Sequence, residues 1–214
     1  MQKVLSIWFL LVSMSLSAAS DEFVIADVDE SRTCVITIDG KSDPTLEHAL
    51  REFCEHVEKM TGIAPNQYEN SKGCEKVVLK ALHGDDEGFT IGEKDGVLTI
   101  AGESSLGVLY GVYELLELEG GCGWFTPFRT VVPKRRRFAL KRGYRHADRP
   151  TFAVRQPSWY GVRTNRLFAA RCRFNGESPD GETDPKWMHL VTKRRFVRPL
   201  YSSHTTLVLV PPEK

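Results

Sequence analysis

The 214-residue sequence contains none of the short motifs that mark the commonest enzyme active sites. It has no Gly-x-Ser-x-Gly nucleophile elbow, no phosphate-binding P-loop and no Gly-x-Gly-x-x-Gly dinucleotide fingerprint. Its six histidines lack the His-Glu-x-x-His spacing of a zinc protease, and its cysteines form no Cys-x-x-Cys pair. We therefore expect no metal site and no cofactor in this chain.

Long apolar runs are also scarce, and the one that exists lies at the N-terminus. Lys3 precedes an apolar run from Val4 to Leu16, and small residues follow before the polar Asp21. The run is shorter than the about 20 residues that a membrane-spanning helix needs. Residues 1–19 are typical of a cleavable signal peptide, which predicts a periplasmic or secreted protein with no membrane attachment after cleavage.

Cysteine is sparse and odd in number, which limits disulfide formation to two bonds within the chain. Cys54 lies on the apolar face of a predicted helix, where a free cysteine packs as a small hydrophobic residue. We expect mostly buried thiols rather than a disulfide framework, and the sequence does not determine any pairing. The five cysteines are Cys34, Cys54, Cys74, Cys122 and Cys172.

The net charge of +1 conceals two halves of opposite sign. Residues 1–128 carry 9 Lys or Arg against 22 Asp or Glu, whereas residues 129–214 carry 20 against 6. A basic half can bind nucleic acid or can face an acidic partner surface. Because export is predicted, we expect no nucleic acid partner and interpret the basic half as facing an acidic surface that the chain lacks. The basic run 134–137 is more typical of a solvated or interdomain face than of a polyanion site.

Hydrophobic periodicity predicts an α+β domain up to about residue 133. Alternation predicts a strand at 33–39, and apolar residues after Asp43-Pro44 recur at helical spacing as far as Thr61-Gly62. A second strand is predicted at 77–82, and the turn Asp95-Gly96 predicts a hairpin.

A second helix is predicted between Ser104 and Gly120, and short strands are predicted near Trp124 and Val131. This helix is apolar around nearly its whole circumference, which is typical of burial on two sides. We interpret its glycines, Gly107 and Gly111, as contacts with a sheet. The expected fold is a small mixed sheet with helices packed on one face.

The chain changes character after residue 134. Asp148-Arg149-Pro150 resembles a hinge, Phe152–Arg155 could form a strand, and Arg166–Phe174 a short helix. The following residues, 175–184, form a polar loop rich in Gly and Pro. These elements are too few for a second complete domain.

Glycines and aromatic residues at fixed spacing between residues 89 and 133 carry a family resemblance. The stretch resembles the N-terminal accessory α/β domain of glycoside hydrolases, of the family 67 α-glucuronidase and β-hexosaminidase type. It is most similar to bacterial proteins of unknown function that carry this domain before a glycosidase-like barrel. The matching positions are Ile100, Gly102, Gly107, Tyr110, Gly111, Leu115, Leu116, Glu117, Gly123, Trp124 and Pro127.

The resemblance implies a division of the chain into a signal peptide (1–19), a non-catalytic accessory domain (22–142) and the incomplete start of a (β/α)8 barrel (143–214). It implies no catalytic residue here, because the catalytic carboxylates of such enzymes lie on later barrel strands. Arg155 matches a family arginine that holds the terminal sugar, and Trp159 and Tyr160 are candidates for stacking on sugar rings.

The sequence therefore favours a truncated accessory domain of an exported carbohydrate-active enzyme, inactive alone, whose catalytic barrel is absent from this chain. The expected ligand of the complete protein is an oligo- or polysaccharide. A stand-alone carbohydrate-binding module is the first alternative. The second is a small polysaccharide-degrading hydrolase whose site the sequence does not reveal.

Overall fold

The computed structural model describes residues 21–67, 74–155, 159–176 and 189–191, so the predicted signal peptide lies outside it. The strands are β1 (Glu22–Asp27), β2 (Arg32–Thr33), β3 (Val35–Asp39), β4 (Lys76–Ala81), β5 (Phe89–Lys94), β6 (Val97–Gly102), β7 (Gly123–Thr126), β8 (Arg129–Val131), β9 (Arg137–Lys141) and β10 (Arg145–Asp148). The helices are α1 (Pro44–Thr61), α2 (Ser105–Leu118), α3 (Tyr160–Thr164) and α4 (Arg166–Arg171).

A five-stranded mixed sheet in the order β10-β5-β6-β4-β3 supports the domain. Strands β3, β4 and β6 run parallel, whereas β5 and β10 are antiparallel to their neighbours. A three-stranded sheet in the order β2-β1-β9 and the hairpin β7-β8 complete the strand pairing of the described residues. The α+β fold class and the mixed sheet are confirmed.

Helix α1 begins and ends at the residues that its sequence predicts. The Asp43 side chain accepts hydrogen bonds from the backbone N–H groups of Thr45 and Leu46, which have no partner within the helix. Gly62 ends the helix with a φ of 87°, in the left-handed region that favours glycine. The apolar stripe is buried, at Leu46, Ala49, Phe53, Val57 and Met60.

Helix α2 packs on β4, β5 and β6 and against α1. A Cβ atom added at Gly111 would lie 2.8 Å from Cγ2 of Ile100, and one at Gly107 would lie 2.6 Å from the carbonyl oxygen of Gly88. These glycines therefore bring the helix close to the sheet, as expected. The predicted hairpin is also present as β5 and β6, with positive φ angles at Asp95 and Gly96 in its turn.

Three strands have no counterpart in the sequence predictions. Strand β1 is almost entirely buried and pairs with β9, which overlaps the basic run 134–137. Strand β10 pairs with β5 and forms an edge of the five-stranded sheet. The sheet thus extends to Asp148, and the domain bounds expected from the sequence stay predictions.

After β10 the chain lies against the domain in short elements. Residues 152–155 form no strand, so the expected strand at Phe152–Arg155 is wrong. Helix α4 confirms the predicted short helix, although it ends at Arg171 rather than at residue 174. The expectation that residues 143–214 begin a barrel stays a prediction.

All five cysteines lie within the described residues as free thiols, and Cys34, Cys54 and Cys122 are buried. Cys34 and Cys54 belong to the main hydrophobic core, in agreement with their interpretation as packing residues. Within the part of the chain that the structure describes, no helix combines the length and apolar character needed to cross a membrane.

Candidate functional site

Arg155, the predicted sugar-holding residue, is fixed by contacts within the chain. Its Nη2 donates to Oε2 of Glu87 at 2.5 Å, and its Nε donates to the carbonyl oxygen of Arg173 at 2.7 Å. Its Nη1 donates to the carbonyl oxygen of Phe152 at 2.6 Å, and its guanidinium carbon lies 5.6 Å from the centre of the Tyr110 ring. The bond to Glu87 therefore ties the segment after β10 to the loop before β5, and the contact with Tyr110 places the guanidinium against α2.

Asn175 completes this attachment. Its Nδ2 donates to both carboxylate oxygens of Glu87, at 2.8 and 2.7 Å, while its Oδ1 accepts from the backbone N–H of Arg155 at 2.8 Å. Both Asn175 and Glu87 are buried. Because a buried carboxylate is costly unless it is paired, this arrangement favours one position of residues 152–155 over others.

A second attachment joins α4 to α1. Arg171 donates from Nε to Oε2 of Glu52 at 2.9 Å and from Nη2 to Oε1 at 3.0 Å. Its guanidinium also lies 5.0 Å from the centre of the buried Trp124 ring. Burial alone would raise the pKa of Glu52, but the paired Arg171 guanidinium holds that pKa below its ordinary value.

Two histidines extend this buried polar cluster on α1. His48 lies one turn before Glu52, and its Nε2 lies 3.4 Å from the hydroxyl oxygen of Tyr113. His56 lies one turn after Glu52, and its Nδ1 lies 2.7 Å from the Glu52 carbonyl oxygen. Burial lowers the pKa of His48 to about 4 and also lowers that of His56, so both rings are neutral at pH 7.

The two oppositely charged halves of the chain pair with each other. Arg173 contacts Glu114 at 2.6 Å and Glu117 at 2.5 Å, and Arg142 bridges Glu75 and Glu93. Further ion pairs between the halves join Arg136 to Asp29, Arg137 to Glu22 and Asp27, and Arg149 to Asp86 and Glu103. The expectation that the basic half faces an acidic surface absent from this chain is therefore wrong for these residues, because the first half provides that surface.

The run 134–137 also has local partners. Lys134 Nζ donates to the carbonyl oxygen of Lys59 at 2.6 Å, in the last turn of α1. Arg135 Nη1 donates to the carbonyl oxygen of Glu119 at 2.8 Å, at the end of α2. Both cations thus satisfy carbonyl groups at the negative ends of helix dipoles.

The predicted stacking residues Trp159 and Tyr160 lie on the surface beside the β7-β8 hairpin. The exposed fractions are 53% for Trp159, 74% for Tyr160, 61% for Phe125 and 97% for Phe128. A Cβ atom added at Gly161 would lie 3.4 Å from a ring carbon of Trp159 and 3.4 Å from a ring carbon of Pro127. Trp159 therefore neighbours the hairpin tip, and we call Phe125, Pro127, Phe128, Trp159 and Tyr160 the aromatic rim.

Carboxylates occur in a shallow cleft on another part of the surface. The cleft has a volume of about 360 Å³ and lies between β5, β6 and β10. Glu103, Asp148 and Arg149 are its charged residues, and Arg149 lies 3.8 Å from Glu103 and 3.6 Å from Asp86. Within the described residues, no group of three or more His, Cys, Asp or Glu side chains is arranged to hold a metal ion.

The short strand predicted near Trp124 is confirmed as β7, but sequence reasoning missed both arginine attachments. Glu52 could have been noticed, because His48, Glu52 and His56 recur at four-residue steps beside the apolar stripe of α1. The partners Arg155 and Arg171 are far away in sequence and carry no local signal.

No family model matches the sequence, and no curated protein matches it. The structure is similar to a family 115 4-O-methyl-α-glucuronidase with specificity for decorated arabinogalactans, with a TM-score of 0.54 and 18% identity over 72% of this chain and 25% of that chain. It also matches the Flavobacterium johnsoniae chitobiase, with a TM-score of 0.48 and 19% identity over 72% of this chain and 24% of that one. A third match is the Vibrio harveyi family 20 exo-β-N-acetylglucosaminidase, with a TM-score of 0.41 and 12% identity over 73% and 22% of the two chains.

The chain spans about a quarter of the length of these solved structures. At such low identity, the match to the glucuronidase shows a shared fold. The chain thus has a fold that also occurs in a glycoside hydrolase.

Proposed function

We propose that this chain acts as a non-catalytic accessory domain of an exported carbohydrate-active enzyme, where it packs against a catalytic barrel. The observation that carries the proposal is the similarity of 72% of the chain to a quarter of the family 115 glucuronidase. A fold that accounts for so small a part of an enzyme is suited to supporting a separate catalytic unit. Gly107 and Gly111, which carry part of the resemblance, serve helix–sheet packing, which agrees with a structural role.

The pairing of buried carboxylates supports the non-catalytic part of the proposal. A glycosidase needs a carboxyl group with a raised pKa as general acid, together with a second carboxylate. Glu52 and Glu93 are buried, but Arg171 beside the first and backbone N–H donors beside the second hold their pKa values below the ordinary value, against the effect of burial. Glu87 is occupied by Arg155 and Asn175.

A stand-alone carbohydrate-binding module is a second candidate, and the aromatic rim favours it. Four exposed aromatic rings near one hairpin exceed the scattered apolar exposure that is normal for a soluble protein. A binding module and an accessory domain are compatible, since an accessory domain can also hold the substrate of its catalytic partner.

The experiment that tests the proposal is a hydrolysis assay on the purified, signal-cleaved chain. We would incubate it with aryl α-glucuronides, aryl N-acetyl-β-glucosaminides and decorated arabinogalactan, and measure released sugar by chromatography. The expected result is no release above the enzyme-free blank. Release that disappears in the Glu103→Gln/Asp148→Asn variant would contradict the proposal and would assign a hydrolase site to the cleft.

A further inference from the structure

Two rings of the aromatic rim are held in position by contacts within the chain, as expected for a binding surface. A Cβ atom added at Gly123 would lie only 2.7 Å from Cε2 and 2.9 Å from Cζ of Phe125. The Phe125 ring therefore lies over the bare backbone of Gly123 and is held close to the strand. The ring of Trp159 packs edge-on against Phe168, with ring centres 5.7 Å apart, while half of its surface faces solvent. Both rings are thus positioned before any ligand binds.

The segments that carry the aromatic rim differ from most of the chain in having no acidic residues. Between residues 120 and 176 the only acidic residue is Asp148, and residues 123–131 and 159–165, which carry the rim, contain none. Arg129 is exposed and lies 5.8 Å from the centre of the Phe125 ring. Among the described residues it forms no ion pair with a carboxylate, in contrast to Arg136, Arg155 and Arg171. An anion that reached the rim would meet the exposed Arg129 guanidinium, and the two segments that carry the rim contribute no carboxylate side chain.

We propose that the aromatic rim binds the rings of an acidic oligosaccharide, and that Arg129 selects its uronic acid carboxylate. The inference rests on the proposed function, since it names the saccharide class that the accessory domain would hold. A pyranose ring presents C–H bonds on one face, which are attracted to the electron-rich face of an aromatic ring. A guanidinium group can bind both oxygens of a carboxylate at once, which a hydroxyl group does not offer.

The composition of the rim favours a saccharide over a protein surface. Protein interfaces need complementary packing at a buried centre, where side chains of one partner fill pockets of the other. The rim offers rings around a protruding tip, with Phe128 almost fully exposed. Flat rings of this kind suit a ligand that is itself flat on one face.

The test is a titration of the signal-cleaved chain with trigalacturonate and, as the neutral counterpart, galactotriose. Binding would be followed by tryptophan fluorescence and by calorimetry at low ionic strength. We expect trigalacturonate to bind more tightly, Trp159→Ala to weaken both sugars by about tenfold, and Arg129→Gln to weaken only trigalacturonate, by about tenfold. Arg145→Gln is the matched control, because it removes an exposed arginine on β10, away from the rim.

Three results would overturn the inference. Equal losses in Arg129→Gln and Arg145→Gln would mean that net charge, and not the rim, attracts the ligand. Equal affinity for polyglutamate and trigalacturonate would mean that any polyanion is bound. Absence of saccharide binding, together with concentration-dependent dimers that Phe128→Ala abolishes in sedimentation experiments, would identify the rim as a protein contact. None of these results bears on the hydrolysis assay, so failure of the inference and failure of the proposed function remain distinguishable.

Discussion

Arg171 and Glu52 lie 119 residues apart in the sequence and form a two-pronged ion pair between α4 and α1. Together with the pair between Arg155 and Glu87, it fixes the segment after β10 against α1 and the loop before β5. The apolar circumference of α2 predicts burial on two sides, and the sheet covers one part of this helix. The segment after β10 covers another part, with Arg155 against the Tyr110 ring and α4 against α2.

Breaking the pair should destabilise the domain. In Arg171→Gln the buried Glu52 carboxylate loses its cation, and we expect the free energy of unfolding to fall by about 3–5 kcal/mol. Urea denaturation followed by circular dichroism measures this change. The control is Lys80→Gln, which removes an exposed ion pair with Asp39 and should change the free energy of unfolding far less. Similar losses in the two variants would show that the buried pair has no special role.

The elements that could be predicted from the sequence are those stabilised by contacts between residues close together in the chain. The Asp43 cap and Gly62 end of α1, and the Asp95-Gly96 turn between β5 and β6, depend on residues within a few positions of one another. Such features can be predicted from one sequence because capping and turn chemistry act over that distance. The packing role of Gly107 and Gly111 also followed from their four-residue spacing on an apolar helix.

Long-range pairing explains what the sequence did not reveal. Strand β1 has almost no polar alternation because both of its faces are buried, and it pairs with β9, more than 100 residues away. The basic run that overlaps β9 resembled a solvated face, since its acidic partners lie in the other half of the chain. The positions of Arg155, Trp159 and Tyr160 depend on the same long-range attachments. Their roles in sugar binding stay predictions.

Close contact between β6 and the start of α2 should make Gly102 intolerant of any side chain. A Cβ atom there would lie 2.3 Å from the backbone nitrogen of Val108, which cannot move without displacing the helix. We expect Gly102→Ala to lower the free energy of unfolding by about 1–3 kcal/mol or more. The control, Gly92→Ala on the neighbouring β5, adds a Cβ atom with nothing within 4 Å and should be nearly neutral. A neutral Gly102→Ala would disprove this packing of α2.

Burial of His48 should make stability depend on pH. Its pKa falls from the ordinary 6.5 to about 4 on folding, because burial disfavours the charged ring more than the nearby Glu52 carboxylate favours it. The unfolded chain therefore binds a proton at a higher pH than the folded chain does. The contribution of His48 to the free energy of unfolding is fully present above pH 6.5. It is lost as the pH falls from 6.5 towards 4, by about 1 kcal/mol per pH unit.

The variant His48→Gln should flatten the stability profile between pH 6.5 and 4, whatever its effect on absolute stability. Thermal or urea unfolding at several pH values measures the slope. His83 is exposed, with a positive φ that asparagine tolerates, so His83→Asn is a suitable control that should keep the wild-type slope. An unchanged slope in His48→Gln would assign the pH dependence to other groups, of which His56 is the nearest candidate on α1.

Limited proteolysis should show where the folded unit ends. Because Arg155, Arg171 and Asn175 are tied to α1 and to the loop before β5, we expect a resistant fragment that extends to about residue 176 rather than one that ends near β10. Proteinase K digestion with mass spectrometry of the fragments tests this, since the enzyme cuts wherever the backbone opens. In Arg155→Gln the resistant fragment should shorten towards residue 148, whereas Arg145→Gln should leave it unchanged. A wild-type fragment that already ends near residue 148 would mean that these attachments open readily in solution, and that α2 needs another surface to cover it.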